Sequence, residues 1–184
     1  MTAPVKNFLS TDTGAPSWNG TVGSTIAVLD ALLIDGFNAK TLSSLTQSDG
    51  VATATTATAH GYRVNQVVEI EGANEAGYNG QFQVLSVSTL SFTFAVDPAT
   101  AATATGTLTA KVAPLGWVKA FSGTNKAAYR SNNPASTQCL LRVDDSNALY
   151  SNVRGYEAMT DIDTGTGPFP TTLQQPNYAW KKSS

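Results

Sequence analysis

The chain has 184 residues, 41% hydrophobic and 13% charged, where ordinary globular proteins carry roughly 25% charge. That balance excludes a disordered polyelectrolyte and fits one folded domain or two small ones sharing a chain. A net charge of −2, with eleven Lys and Arg scattered apart from the Lys181-Lys182 pair, gives no basic stripe to track a phosphate backbone, so nucleic acid is not an expected partner.

The opening stretch is rich in turn formers, with three Gly and Pro16 in "TDTGAPSWNGTVG". "GSTIAVLDALLIDGF" follows as the principal helix of the chain. Ser24 suits its N-cap and Gly36 its left-handed end, and Ile26, Leu29, Leu32 and Leu33 line one face. The predicted element is an amphipathic helix of about three turns packed on a sheet. Its apolar run, "IAVLDALLI", is broken by Asp30 and is too short to span a bilayer, so no membrane is expected as a partner. "MTAPVKNFLS" has no signal-peptide core, which points to synthesis in a cytoplasm without a general export signal.

From Ser44 the texture changes. "VATATTATA", "QVVEIEG", "QFQVLSVST", "SFTFAV" and "TGTLTAKV" each alternate in period two and are separated by "AHGYRVN", "GANEAGYNG" and "DPATAATA". Alternation bounded by turn chemistry predicts five antiparallel strands over residues 44–112, a small barrel or sandwich. His60 lies in the first break and reads as a turn histidine; no second His exists to share a metal.

After Pro114, "GWVKAFSGTNKAAYRS" predicts a hairpin turning at "SGTN". "TQCLLRVDDS" and "ALYSNVRGYEAMTDID" predict two more strands, with Cys139, Leu141 and Val143 on one side of the first. "TGTGPFPTTLQQP" is expected to hold no regular structure. Cys139 is the single cysteine, so no internal disulfide and no cysteine cluster for zinc can form, and a buried inert thiol is the expectation. The fold class is therefore mainly β with one principal α-helix, and residues 44–112 read as a self-contained small barrel or sandwich.

Chemistry is sparse. Asp144, Asp145, Glu157, Asp161 and Asp163 cluster late, and two carboxylates at the right separation could form an acid/base pair. Turns are the better reading of Asp145-Ser146-Asn147 and of Asp161 to Gly167. "DIDTGTG" resembles the start of a calcium loop, but Thr172 stands where its closing glutamate belongs. There is no Gly-x-Ser-x-Gly elbow, and "GTVGS" lacks a phosphate-loop lysine. No catalytic, metal or cofactor residue is assigned, and an enzyme is not expected. Trp18, Trp117, Phe121, Tyr129, Tyr150 and Tyr156 could build a carbohydrate platform; core or interface anchors are the favoured role, with Leu29 among them.

The stretch from Gly50 to Val87 resembles a small β-module recurrent in structural proteins of tailed bacteriophages. The shared features are a Val-Ala-Thr strand, a His-Gly turn, a Val-x-Ile-x-Gly strand, a Tyr-Asn-Gly turn and an alternating strand. The flanks "TGAPSWNGTVGSTIAVLDALLIDGF" and "GWVKAFSGTNKAAYRS … LLRVDDS … VRGYEAMTDIDTGTGPFPT" are similar to segments of uncharacterised phage virion proteins, some of which continue past the position of Ser184. The resemblance implies that the flanks, 1–43 and 113–184, fold together as a β-rich base domain into which 44–112 is inserted, and that the chain is a non-enzymatic virion subunit, made in the host bacterial cytoplasm. It would be a tail, neck or baseplate component binding copies of itself and other virion proteins through its base domain. A capsid-surface decoration protein is the alternative. An adhesin touching host surface glycan, with Tyr62 and Tyr78 as its aromatic pair, is an alternative of another class.

Overall fold

The computed structural model describes residues 5–171, 173–174 and 179–182. The chain divides into two compact units. Unit 1 comprises Met1–Ala15 and Gly36–Ala113; unit 2 comprises Pro16–Asp35 and Pro114–Ser184.

Unit 1 is a closed barrel of β1 (Phe37–Ser48), β2 (Val51–Thr56), β3 (Val67–Ala73), β4 (Gly80–Val87), β5 (Ser91–Ala95) and β6 (Gly106–Val112), in the order β1-β2-β5-β4-β3-β6. Every neighbouring pair is antiparallel, and β6 closes on β1. Closure leaves no open strand edge in the barrel. The alternating segments of the sequence supply β2 to β6 and place Ala52, Ala54, Val68, Ile70, Val84, Phe92, Phe94, Leu108 and Ala110 inside.

The sixth strand, β1, is the one the alternation does not announce. Its buried residues are Phe37, Leu42 and Leu45, separated by odd intervals that break a two-residue period. The register shifts between Phe37 and Lys40 and again between Leu42 and Ser44, and each irregularity flips the inward parity. Because β1 pairs with both β2 and β6, the barrel unit opens at Gly36 rather than at Ser44. The stretch Met1–Ala15 also belongs to this unit, where Arg63 pairs with Asp12 at 2.6 Å and donates to Asn7, and Phe8 meets the Phe37 ring.

His60 is only 1% exposed. Its Nδ1 accepts from the Tyr62 N–H at 3.0 Å, so the proton sits on Nε2, which faces the carbonyls of Ser88 at 2.9 Å and Ser91 at 3.1 Å. The turn histidine of the sequence thus pins the β4–β5 hairpin to the segment before β3. Tyr62 and Tyr78 are also buried, and their hydroxyls donate to backbone carbonyls of Asn38, Ala110 and Ala101. Burial pushes both phenols up from their ordinary pKa. Neither tyrosine offers a ring face to a glycan.

Unit 2 is a sheet with one helix. The strands are β7 (Trp117–Gly123), β8 (Lys126–Ser131), β9 (Leu140–Asp144), β10 (Tyr150–Met159), β11 (Gly165–Phe169) and β12 (Ala179–Lys181). Their order is β11-β10-β9-β8-β7, and β12 also pairs with β10. The hairpin β7–β8 turns as expected, with Asn125 at φ 54°. β11 falls within "TGTGPFPTTLQQP", where no strand was expected, and Pro168 lies on it. An edge strand tolerates proline because one row of its N–H groups has no partner. Phe169 pairs with Gly155, and its ring lies where a Cβ on Gly155 would sit.

Helix α1 (Ser24–Asp30) continues as a wider π-helical turn, Ala31–Asp35, before Gly36 at φ +75°. Leu33 is buried against Ala127, Tyr129, Val143 and Val153, with Ile26, Leu29, Ile34, Trp117 and Leu141 packed around them. Ser24 is not the N-cap. Gly23 holds that position at φ 86° without a side-chain cap, and the Ser24 hydroxyl donates to the Asn19 carbonyl at 2.7 Å.

Two outcomes are expected. Leu33→Ala should cost about 2–5 kcal/mol of unit 2 stability, and Leu29→Ala less because Leu29 is only half-buried; denaturant melts check this, and equal costs for the two would refute the packing order. Secondly, the Leu115 N–H donates to the Leu32 carbonyl at 2.9 Å, so the two segments of unit 2 meet there. Removing Met1–Ala15 and replacing Gly36–Ala113 by a short Gly/Ser linker should leave unit 2 folded, since loop length enters only logarithmically, about 0.6 kcal/mol per doubling. All three Trp residues lie in unit 2, so native tryptophan emission reports the result; an aggregated product would show that unit 2 needs the barrel.

Candidate functional site

The sequence places Asp145 in a turn. The structure places its carboxylate where β9 ends against the start of α1, with no exposed surface. Three things serve it. The backbone N–H of Thr25 donates to Oδ2 at 2.9 Å, replacing the missing side-chain cap of α1. The Ser151 hydroxyl, from β10, donates to Oδ1 at 2.6 Å. Lys182, just beyond β12, brings its ammonium to the same oxygen at 2.6 Å, and neither side chain of this pair has exposed surface.

The network extends outward. The Thr25 hydroxyl meets the Ser151 hydroxyl at 2.6 Å and accepts from Trp18 Nε1 at 2.9 Å. The Asp145 carbonyl accepts from the Gly23 N–H, and its N–H donates to the Asn125 carbonyl. Burial pushes the Asp145 carboxyl up; Lys182, Ser151 and the Thr25 N–H pull it down further, and the net pKa lies below the ordinary value. A second anchor sits at the other end of α1. Asp30 accepts from the Tyr129 hydroxyl at 2.8 Å and from Lys119 at 2.6 Å, and burial with this contact pushes the Tyr129 phenol up.

Around the buried pair several large apolar side chains are exposed, and Lys181 is the charged residue among them. Leu149 is 71% exposed, and Trp18, Val22, Tyr150 and Trp180 are each about two-fifths exposed. Each is one or two bonds from the pair. Val22 follows Thr21, whose carbonyl accepts from Lys182; the Leu149 carbonyl accepts the Lys182 N–H. Tyr150 pairs with Lys181 and Trp180 with Ser151. The supporting segments 13–29 and 146–153 contain no charged residue. Exposed aromatics on a charge-poor ground are the composition of interface cores.

The other residues singled out in the sequence do not assemble into one site. Leu29, Trp117 and Tyr129 belong to the α1-facing core of unit 2, Tyr129 with no exposure. Strand pairing puts Phe121 and Tyr156 on the opposite face, so the six aromatics form no common platform. Cys139 precedes β9 and is half-buried. It borders an open groove of about 420 Å3 lined by Trp117, Leu141, Gly155, Phe169 and Trp180.

Of the late carboxylates, Asp144, Asp161 and Asp163 are, like Asp145, engaged by the protein. Asp144 accepts from the Ser146 N–H and lies 3.7 Å from Arg142. Asp161 accepts the N–H groups of Asp163 and Thr164, closing the β10–β11 turn, and those bonds hold its pKa below the ordinary value. Asp163 pairs with Lys126 and Arg142, each at 2.7 Å. Glu157 is exposed on β10. Among the described residues no three His, Cys, Asp or Glu side chains converge on one point; Thr172, the closing position of a calcium loop, lies outside them. No described helix is long and apolar enough to cross a membrane.

No sequence signal singled out Lys182, and the reason is separation: it and Asp145 stand 37 residues apart on elements whose pairing is not local. Comparison with family models, curated proteins and solved structures found no match for the chain.

The folded carboxylate of Asp145 titrates below its unfolded value, so it stabilises unit 2 above the ordinary carboxylate range and that stability is lost as pH falls through the folded pKa. Tryptophan emission should therefore show unit 2 loosening below about pH 4. Asp145→Asn should weaken this acid dependence and cost about 3–5 kcal/mol at neutral pH, because Lys182 is left buried without its counter-charge. An unchanged melt would mean that the pair does not hold α1.

Proposed function

We propose that the chain is a non-enzymatic structural subunit of a tailed-phage virion, a tail, neck or baseplate-associated component that assembles through unit 2 with copies of itself and other virion proteins. The observation that carries this reading is the exposed apolar and aromatic side chains around the Asp145–Lys182 pair, among which Lys181 is the charged residue. A solitary soluble domain usually covers such a surface with charge, and this chain, with 13% charged residues, leaves these side chains exposed. A rigid support lies directly beneath it, and a fixed geometry lowers the entropy that assembly must overcome. Thr, Ser and Asn on the remaining exterior allow close packing without charge repulsion.

The engagement of Asp144, Asp145, Asp161 and Asp163 by structural partners supports a non-catalytic role. The resemblance of the flanks to virion proteins is what suggests the kind of assembly. The adhesin reading loses its named aromatic pair, since Tyr62 and Tyr78 are buried.

The test is the double variant Val22→Asp/Leu149→Asp. Both side chains are exposed, so the monomer's stability should change by no more than about 0.5 kcal/mol. Self-association in sedimentation and incorporation into particles should both fall at least tenfold. Wild-type values in both assays would sink the assignment of this surface.

A further inference from the structure

The Lys182 ammonium has three N–H groups and three acceptors: Asp145 Oδ1 at 2.6 Å, the Thr21 carbonyl at 2.9 Å and the Asn147 carbonyl at 2.9 Å. The acceptors come from the loop before α1, the end of β9 and the turn beyond it. Together they meet the full donor capacity of an ammonium. Around them, Asp145 Oδ2 is committed to Thr25 and the Ser151 hydroxyl to Oδ1. Among the described residues, Asp145 is the one titratable side chain that meets the ammonium.

What this cluster holds in place is otherwise weakly held. β12 is three residues long, pairs with β10 at three positions, and all three of its side chains are exposed. An edge strand that short contributes little by itself. Burial and charge sit instead in the next residue, Lys182, whose backbone N–H adds a bond to the Leu149 carbonyl. The strap is therefore held as a ligand is held, through one recognised head group.

We propose that the Asp145 carboxylate and the carbonyls of Thr21 and Asn147 form a binding site for a primary ammonium, which the chain fills with its own Lys182 to latch the β12 strap and which a free alkylammonium fills when that side chain is removed. The site is selective by chemistry. A quaternary ammonium has no N–H to donate, and a planar guanidinium carries five donors in a fork that three acceptors around one point do not match. The same carboxylate receives the Thr25 N–H, so occupancy of the site is coupled to the seating of α1. This inference is independent of the assembly reading, because its readout is the stability of one chain.

The experiment uses the full chain carrying Lys182→Ala, melted by tryptophan emission. The variant should lose more than about 10 °C of unit 2 Tm, as expected for a buried charge left without its partner. Ethylammonium chloride should restore at least half of that loss, with a recovery that grows logarithmically with concentration. Tetramethylammonium chloride at equal ionic strength should restore none. Lys182→Met, whose side chain takes the place of the lysine stem, should be destabilised and not rescued. Asp145→Asn/Lys182→Met, which removes both charges, should recover most of the stability. Equal rescue by both salts, or no rescue of the alanine variant, overturns the site. If the alanine variant does not fold even with ethylammonium while the double variant does, the pair is structural and the ammonium site is refuted.

Discussion

A carboxylate with no exposed surface sits where α1 meets the sheet of unit 2, and the surrounding chain is arranged to keep it charged. Burying an ion costs several kcal/mol unless its lone pairs and its charge are answered together. Asp145 answers both at once, through a backbone N–H of α1, a hydroxyl of β10 and the ammonium of Lys182. Each partner comes from a different part of the chain, so satisfying the carboxylate fixes where the helix begins, how far β9 runs and where the strap lies. Leu33 and its neighbours provide the apolar gain, which is non-directional. The polar network decides which of the possible seatings of α1 is adopted.

Unit 1 solves a different problem by different means. Its interior mixes small residues such as Ala52, Ala54 and Ala110 with large ones such as Ile70, Phe92 and Phe94, so no single side chain dominates. Closure supplies the order instead: each strand has two hydrogen-bonded neighbours. His60 and Tyr62 then fill the interior and tie loop backbone to strand, with Phe92 packed against both rings. A buried imidazole is acceptable there because both ring nitrogens have partners.

The functional reading follows from what the chain leaves outside. Several charges are taken up in ion pairs within the chain, such as Arg63–Asp12, Lys119–Asp30 and Lys126–Asp163. The apolar residues Trp18, Val22, Leu149, Tyr150 and Trp180 are left around the buried pair. A surface of that kind gains by being covered, and rigid aromatic anchors lose little entropy in contact. Structural service in an assembly is the use that these properties support.

The sequence by itself determined the class of the fold: alternation marked β2 to β6, the 3.6-residue period marked α1, and Gly36 and Asn125 marked where the chain reverses. These are local signals, carried by residues within one element. β1 escaped because two register shifts scramble its parity, and β11 because a glycine- and proline-rich edge reads as a loop. Tertiary structure alone decided the roles of Asp145, Lys182 and His60. A carboxylate on a turn and a carboxylate capping a helix have the same sequence neighbours, and so do an exposed lysine and a buried one. The difference lies in which distant backbone groups arrive beside them, and that is set by strand pairing across the whole of a unit.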